Sequence, residues 1–172
     1  GRDRPLGRFA VPLADASRVS LENPALLATL SRVAFTATYV GERIEEEIAR
    51  AGARGRSFAL VRFRLDGLAE LLSGADATSA EHLVVSLAQE LRAGLREFDI
   101  VARSAPDMFL MLIREPESDI SALLGPLARR VREAIRREPE PALGEGVRLE
   151  FGYALFPGDG QTSRALLEAT RR

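Results

Sequence analysis

The sequence predicts an α+β sandwich, a mostly antiparallel sheet covered by helices, on three observations. Runs with strand alternation and runs with helical periodicity take turns in the order helix, strand, helix, hairpin, helix, strand, helix. Two of the strand runs are parted by a very short turn, which makes them antiparallel neighbours. At 46% hydrophobic over 172 residues, the chain can bury a core for one domain plus an appendage. Helices over such a sheet give two or three layers.

Residues 1–22 carry Pro5, Gly7 and Pro12 without a period and read as a leader or linker. Residues 23–52 read as one long helix leading into the domain. Asn23 suits the N-cap, and Pro24 suits the first helical position, where its missing N–H costs nothing. Leu26, Leu30, Val33, Ala37, Val40 and Ile44 recur at helical spacing, and Gly52 and Gly55 close the run. Residues 53–172 then form the domain proper. "SFALVRFRL" (57–65) alternates as a central strand. Thr78 and Glu81 suit a capping box for a helix with Leu83, Val84, Leu87, Leu91 and Leu95 on one stripe. Asp99–Arg103 and Met108–Ile113 form a hairpin, with Pro106 at the second position of a type I turn. A helix opened by Ser118 or Asp119 follows, kinked or restarted at Gly125-Pro126. "VRLEFGYALF" (147–156) is a strand, "PGDG" a turn, and "SRALLEATRR" a last helix. Phe58, Phe63 and Phe109 fall on strands as core residues.

Composition removes several function classes. There is no cysteine, so thiol chemistry and Cys-ligated zinc are excluded. All 24 basic residues are Arg, which excludes Schiff bases and P-loop lysines. A net charge of −1 gives no global field for nucleic acid. No run approaches the roughly 20 apolar residues that span a bilayer. No signal peptide is evident at the N-terminus. These points suit a cytoplasmic chain, or the cytoplasmic part of a membrane-anchored protein, and the abrupt ends suggest an excerpt. The lone histidine, His82, suits an exposed helix position better than a catalytic one.

Three strings in order resemble one family. "ERIEEEIARAGARGRSFALVRFRLDGL" is similar to the leading helix and first strand of GGDEF domains, the bacterial diguanylate cyclases. "LREFDIVARSAPDMFLMLI" is similar to the run through their signature hairpin, and "VRLEFGYALFPGDG" to their later strand. The resemblance covers roughly residues 40 to 172. It implies a nucleotidyl-cyclase-like palm with a five-stranded, mostly antiparallel sheet.

Family cyclases join two GTP molecules into cyclic di-GMP, using divalent metal held by carboxylates. Carried over by position, the strand-motif carboxylate is replaced by Arg64, with Asp66 two residues on. The Gly-Gly of the signature becomes Ala105-Pro106, followed by Asp107, and the signature carboxylate becomes Met108. Pro106 lacks an N–H for phosphate and has a fixed φ. Leu72 stands where the family reads guanine with Asn, and Glu81 where it places an Asp. The resemblance thus implies a degenerate active site with no metal, no cofactor and no synthesis. Asp66 and Asp107 are expected to pair internally with Arg64.

One feature of the family is kept. Many members carry Arg-x-x-Asp five residues before the signature, an inhibitory site for the product. Here Arg96 and Asp99 hold that register, with Ile100 to Ser104 between. A guanidinium can donate twice to guanine O6 and N7, and a carboxylate can accept from N1–H and N2–H. Arg130, with Arg129 as fallback, takes the place of a family arginine that helps this site from the next helix. The alternatives are structural. Arg96 also suits a helix C-terminus, with Asp99 as its local partner, and Arg129 and Arg130 also suit a solvated basic face.

The expected function is therefore a catalytically inactive GGDEF domain that binds cyclic di-GMP and biases its docking on a neighbouring domain or protein partner. The other expectation is a nucleotide-independent dimerisation or interaction module.

Overall fold

The computed structural model describes residues 35–73, 77–116, 119–137 and 147–171. The expected leader and the expected helix start at Asn23 lie outside them. The described chain runs β1 (Phe35–Thr36), α1 (Ala37–Arg54), β2 (Phe58–Asp66), α2 (Leu68–Leu72), α3 (Ala77–Ala93), β3 (Ile100–Ala105), β4 (Met108–Arg114), α4 (Ile120–Arg137), β5 (Arg148–Phe156) and α5 (Ser163–Ala169). The sheet order is β1-β3-β4-β2-β5. Every pair is antiparallel except the short β1–β3 pair.

Alternation along β2 splits the core in two. Ala59, Val61, Phe63 and Leu65 face α3 and α4, whose Leu83, Leu87, Leu91, Leu124, Leu127 and Val131 complete that layer. Phe58 and Leu60 face the other way, against Ile44 and Ala51 of α1 and Leu166 and Ala169 of α5. The result is a helix–sheet–helix sandwich in which β2 is buried over Phe58–Val61 and becomes exposed at Arg64 and Asp66. Leu72 packs into the first core, so its side chain is committed to packing.

Three local expectations change. The helix expected through 23–52 is not continuous, because Phe35 and Thr36 pair with Ala102 and Arg103 as a strand. An aromatic followed by a β-branched residue suits a pleated edge. Thr78 already lies inside α3, so it does not cap that helix. Pro126 neither stops nor restarts α4, which runs on to Arg137. Asp119 opens α4, its Oδ1 accepting from Ser121 N at 2.9 Å.

Glycine is required at one close approach. A Cβ on Gly152 of β5 would stand 2.2 Å from the Thr170 carbonyl oxygen, where the end of α5 crosses the strand.

Candidate functional site

The β3–β4 hairpin carries both stretches singled out by the sequence, one at each end. At its tip, β2 hydrogen-bonds the turn: Leu65 N donates to Asp107 O at 2.8 Å. The residues on the α1/α5 face here are charged. Arg64 stands opposite Met108 on one side and Glu150 on the other. Its Nε donates to Asp107 Oδ2 at 3.1 Å, and its Nη2 lies 3.7 Å from Asp66 Oδ1. Asp107, by that hydrogen bond and by its charge, raises the guanidinium pKa above its ordinary value, with Asp66 and Glu150 adding to the rise. The structure thus brings Arg64, Asp66, Asp107 and Met108 together, with Pro106 in the turn. Pro106 O accepts from Arg103 Nη2 at 2.8 Å. Among the described residues, no group of three His, Asp or Glu side chains could hold a metal ion. His82 is exposed on α3.

The open end of the hairpin holds Arg96 and Asp99. After α3, the chain turns through residues 94–99 so that Asp99 enters the fold at 3% exposure. Its Oδ1 accepts from Arg114 N at 3.0 Å, and its Oδ2 accepts from Arg96 N at 3.0 Å and Arg96 Nε at 3.2 Å. Both oxygens are therefore engaged inside the protein. The sequence expectation that Asp99 accepts from a guanine is not what this geometry offers. The carboxylate instead ties the end of β4 to the turn and orients Arg96.

Arg96 is held on three sides yet remains accessible. Nε is on Asp99, Nη2 donates to the Arg114 carbonyl oxygen, and the guanidinium carbon lies 4.7 Å from the Phe98 ring centroid. Its side chain is still 45% exposed. Behind it, Arg92 donates to the carbonyl oxygens of Arg96, at 2.6 Å, and Asp99.

Arg96 borders two clefts. One, of about 260 Å³, is walled by Arg50, Arg96, Phe98, Arg114 and Glu115. The other, of about 220 Å³, lies between the end of α3 and the start of α4 and includes Asp99, Ile113, Asp119 and Leu123 in its lining. In the first wall, buried Glu47 of α1 accepts from Arg114 Nε at 2.8 Å and Arg50 Nη2 at 2.7 Å. Two guanidinium groups thus share one carboxylate, while Glu115 of the same wall pairs with Arg56. Arg129 and Arg130 border neither cleft. Arg130 points to Glu90 of α3, at 3.9 Å, and Arg137 shares that carboxylate.

Sequence reasoning missed Phe98, Arg114, Arg50 and Glu47. Phe98 carried a signal, being an apolar residue in a turn next to a candidate ligand arginine. The Glu47–Arg114 contact had none, since it joins residues 67 apart in a chain full of both types.

Comparison with known proteins agrees with the fold. The sequence profile of the family "Diguanylate cyclase, GGDEF domain" matches residues 36–172. The chain is 32% identical over 130 residues to the bifunctional diguanylate cyclase/cyclic di-GMP phosphodiesterase MucR of Pseudomonas aeruginosa, covering 73% of this chain and 18% of that protein. It therefore spans under a fifth of that relative's length. Among solved structures, the GGDEF domain of YfiN from Pseudomonas aeruginosa superposes with a TM-score of 0.64 at 23% identity, covering 79% of each chain. DgcB from Caulobacter crescentus, a coiled coil and GGDEF domain in complex with c-di-GMP, gives 0.64 at 14% identity, covering 80% of this chain and 73% of that one. With the profile match over most of its length and this sheet, the chain belongs to the GGDEF, or diguanylate cyclase, family.

Proposed function

We propose that this chain is a GGDEF domain without synthetic activity that serves as a cyclic di-GMP receptor. In this reading it acts in the cytoplasm and couples the second messenger to a neighbouring domain or protein partner. The observation that carries the reading is the Arg96 guanidinium, fixed by Asp99 and the Arg114 carbonyl but open to two clefts. Its outward Nη edge keeps two donors, the fork that matches guanine O6 and N7. Because Asp99, Arg114 and Phe98 already restrain it, little side-chain entropy is lost on binding. Asp99 acts here as a positioning residue.

The inactivity rests on the hairpin tip. The family's dication requires hard oxygen ligands. Here the Asp107 and Asp66 carboxylates surround a guanidinium, and Met108 brings a thioether. These residues do not suit a magnesium ion. Leu72, packed in the core, has no group to read a guanine.

Titration calorimetry with cyclic di-GMP tests the reading. Wild type is expected to bind at micromolar concentration and Arg96→Ala to bind at least tenfold more weakly. No heat from wild type at tens of micromolar refutes the receptor. Cyclic di-GMP formed from GTP and magnesium refutes the inactivity.

A second reading, a nucleotide-independent dimerisation or interaction module, is favoured by β5. Among the described strands it is an edge of the sheet, and it exposes Phe151 (44%) and Tyr153 (40%) on one face. It predicts self-association or partner capture that survives Arg96→Ala.

A further inference from the structure

Phe98 is an apolar side chain that neither core uses. Half of its surface is open to solvent in the turn between α3 and β3. A turn position of this kind makes no structural demand for a large aromatic, and exposing one forgoes the benefit of burying it. One face of the ring is covered by the Arg96 guanidinium at 4.7 Å. The ring also lines the 260 Å³ cleft, together with Arg50, Arg114 and Glu115, the last paired with Arg56. A cation behind an aromatic ring is attracted to its π-face and draws electron density towards itself. The open face is thereby suited to an electron-rich purine.

Resting on the receptor reading, we propose that Phe98 is a ligand-contacting, specificity-determining residue, on which one purine of the bound nucleotide stacks. Arg96 lies on the opposite side of the ring, so its outward donors cannot hydrogen-bond the edge of that same base. They serve a second base. The Arg50 and Arg114 guanidinium groups beside the ring serve the linking phosphates. The site therefore selects a ligand with two purines joined through phosphates over a mononucleotide or a simple anion.

The test is calorimetry with cyclic di-GMP and with GMP on wild type, Phe98→Leu and Phe98→Trp. Leu keeps apolar bulk without the π-face, and at this exposed position it is not expected to disturb folding. Loss of one base–aromatic stack weakens binding by roughly tenfold or more. Phe98→Leu is expected to show that loss for cyclic di-GMP, while Phe98→Trp binds as tightly as wild type. The chain has no native Trp, so Phe98→Trp also reports directly. Its fluorescence should be quenched on addition of cyclic di-GMP and far less on addition of GMP. Wild-type binding with Phe98→Leu within twofold of it overturns the role of Phe98 and leaves the receptor standing. No binding by wild type overturns both.

Discussion

Replacing Asp99 by Ala separates holding the site together from touching the ligand. The carboxylate is 3% exposed and accepts three hydrogen bonds, two from the backbone N–H groups of Arg96 and Arg114. Ala leaves both N–H groups without their acceptor. An orphaned buried donor costs about 1–3 kcal/mol. Both donors are only partly buried, which puts the total at about 2–3 kcal/mol. For a domain of this size, each kcal/mol moves Tm by about 2–4 °C, so a drop on the order of 8 °C is expected. Arg96→Ala is the control. It removes a half-exposed ion pair worth about 0–1 kcal/mol and leaves both backbone bonds in place. Urea unfolding with an unchanged m-value gives the comparison. Asp99→Asn should recover about half of the loss, because its amide oxygen can still accept from one N–H. If Asp99→Ala costs under about 0.5 kcal/mol yet abolishes cyclic di-GMP binding, Asp99 is a ligand contact and the positioning role is wrong.

Four further outcomes are expected. Gly152→Ala forces a Cβ to within 2.2 Å of the Thr170 carbonyl oxygen, a backbone atom. Displacing the end of α5 should cost about 1–3 kcal/mol in chemical denaturation. Phe63→Ala, in the fully buried centre of the α3/α4 layer, should cost about 3–5 kcal/mol by the same assay. Glu47→Gln leaves Arg50 and Arg114 without their shared charge. It should lower stability by about 1–2 kcal/mol, less than a fully buried pair because both arginines reach solvent. Arg130→Ala removes an exposed contact to Glu90, so calorimetry should find cyclic di-GMP affinity changed by less than twofold.

Much of the fold was legible because its signals are local. The alternation of β2, the leucine stripe of α3 and the short turn of the hairpin each fit within one window of sequence. β1 was not legible. It is two residues long, and its partners Ala102 and Arg103 are far along the chain. A helical spacing of Val33, Ala37 and Val40 ran straight across it. Pro126 misled in the other direction, because packing of α4 against α3 and the sheet outweighs one missing backbone hydrogen bond. At the site, the Arg64 pairing with Asp66 and Asp107 followed from carrying the family's motif positions onto this sequence. The burial of Asp99 did not, since nothing in an Arg-x-x-Asp run tells an inward carboxylate from an outward one.

The two ends of the β3–β4 hairpin use the same device for different ends. At the tip, Asp107, Asp66 and Glu150 converge, and such a convergence of anions needs a cation. Arg64 supplies one from within the chain, pairing with Asp107 and lying close to Asp66. At the open end, Asp99 and Glu47 are buried acceptors, and Arg96, Arg114 and Arg50 are their partly exposed donors. There the anions are spent inside, and cationic edges are left facing out. At the base, Arg114 and Glu47 also tie the hairpin to α1. An anionic ligand drawing Arg114 outward would pull on Glu47, and through it on α1. Under the receptor reading, that contact would carry binding at this end to α1.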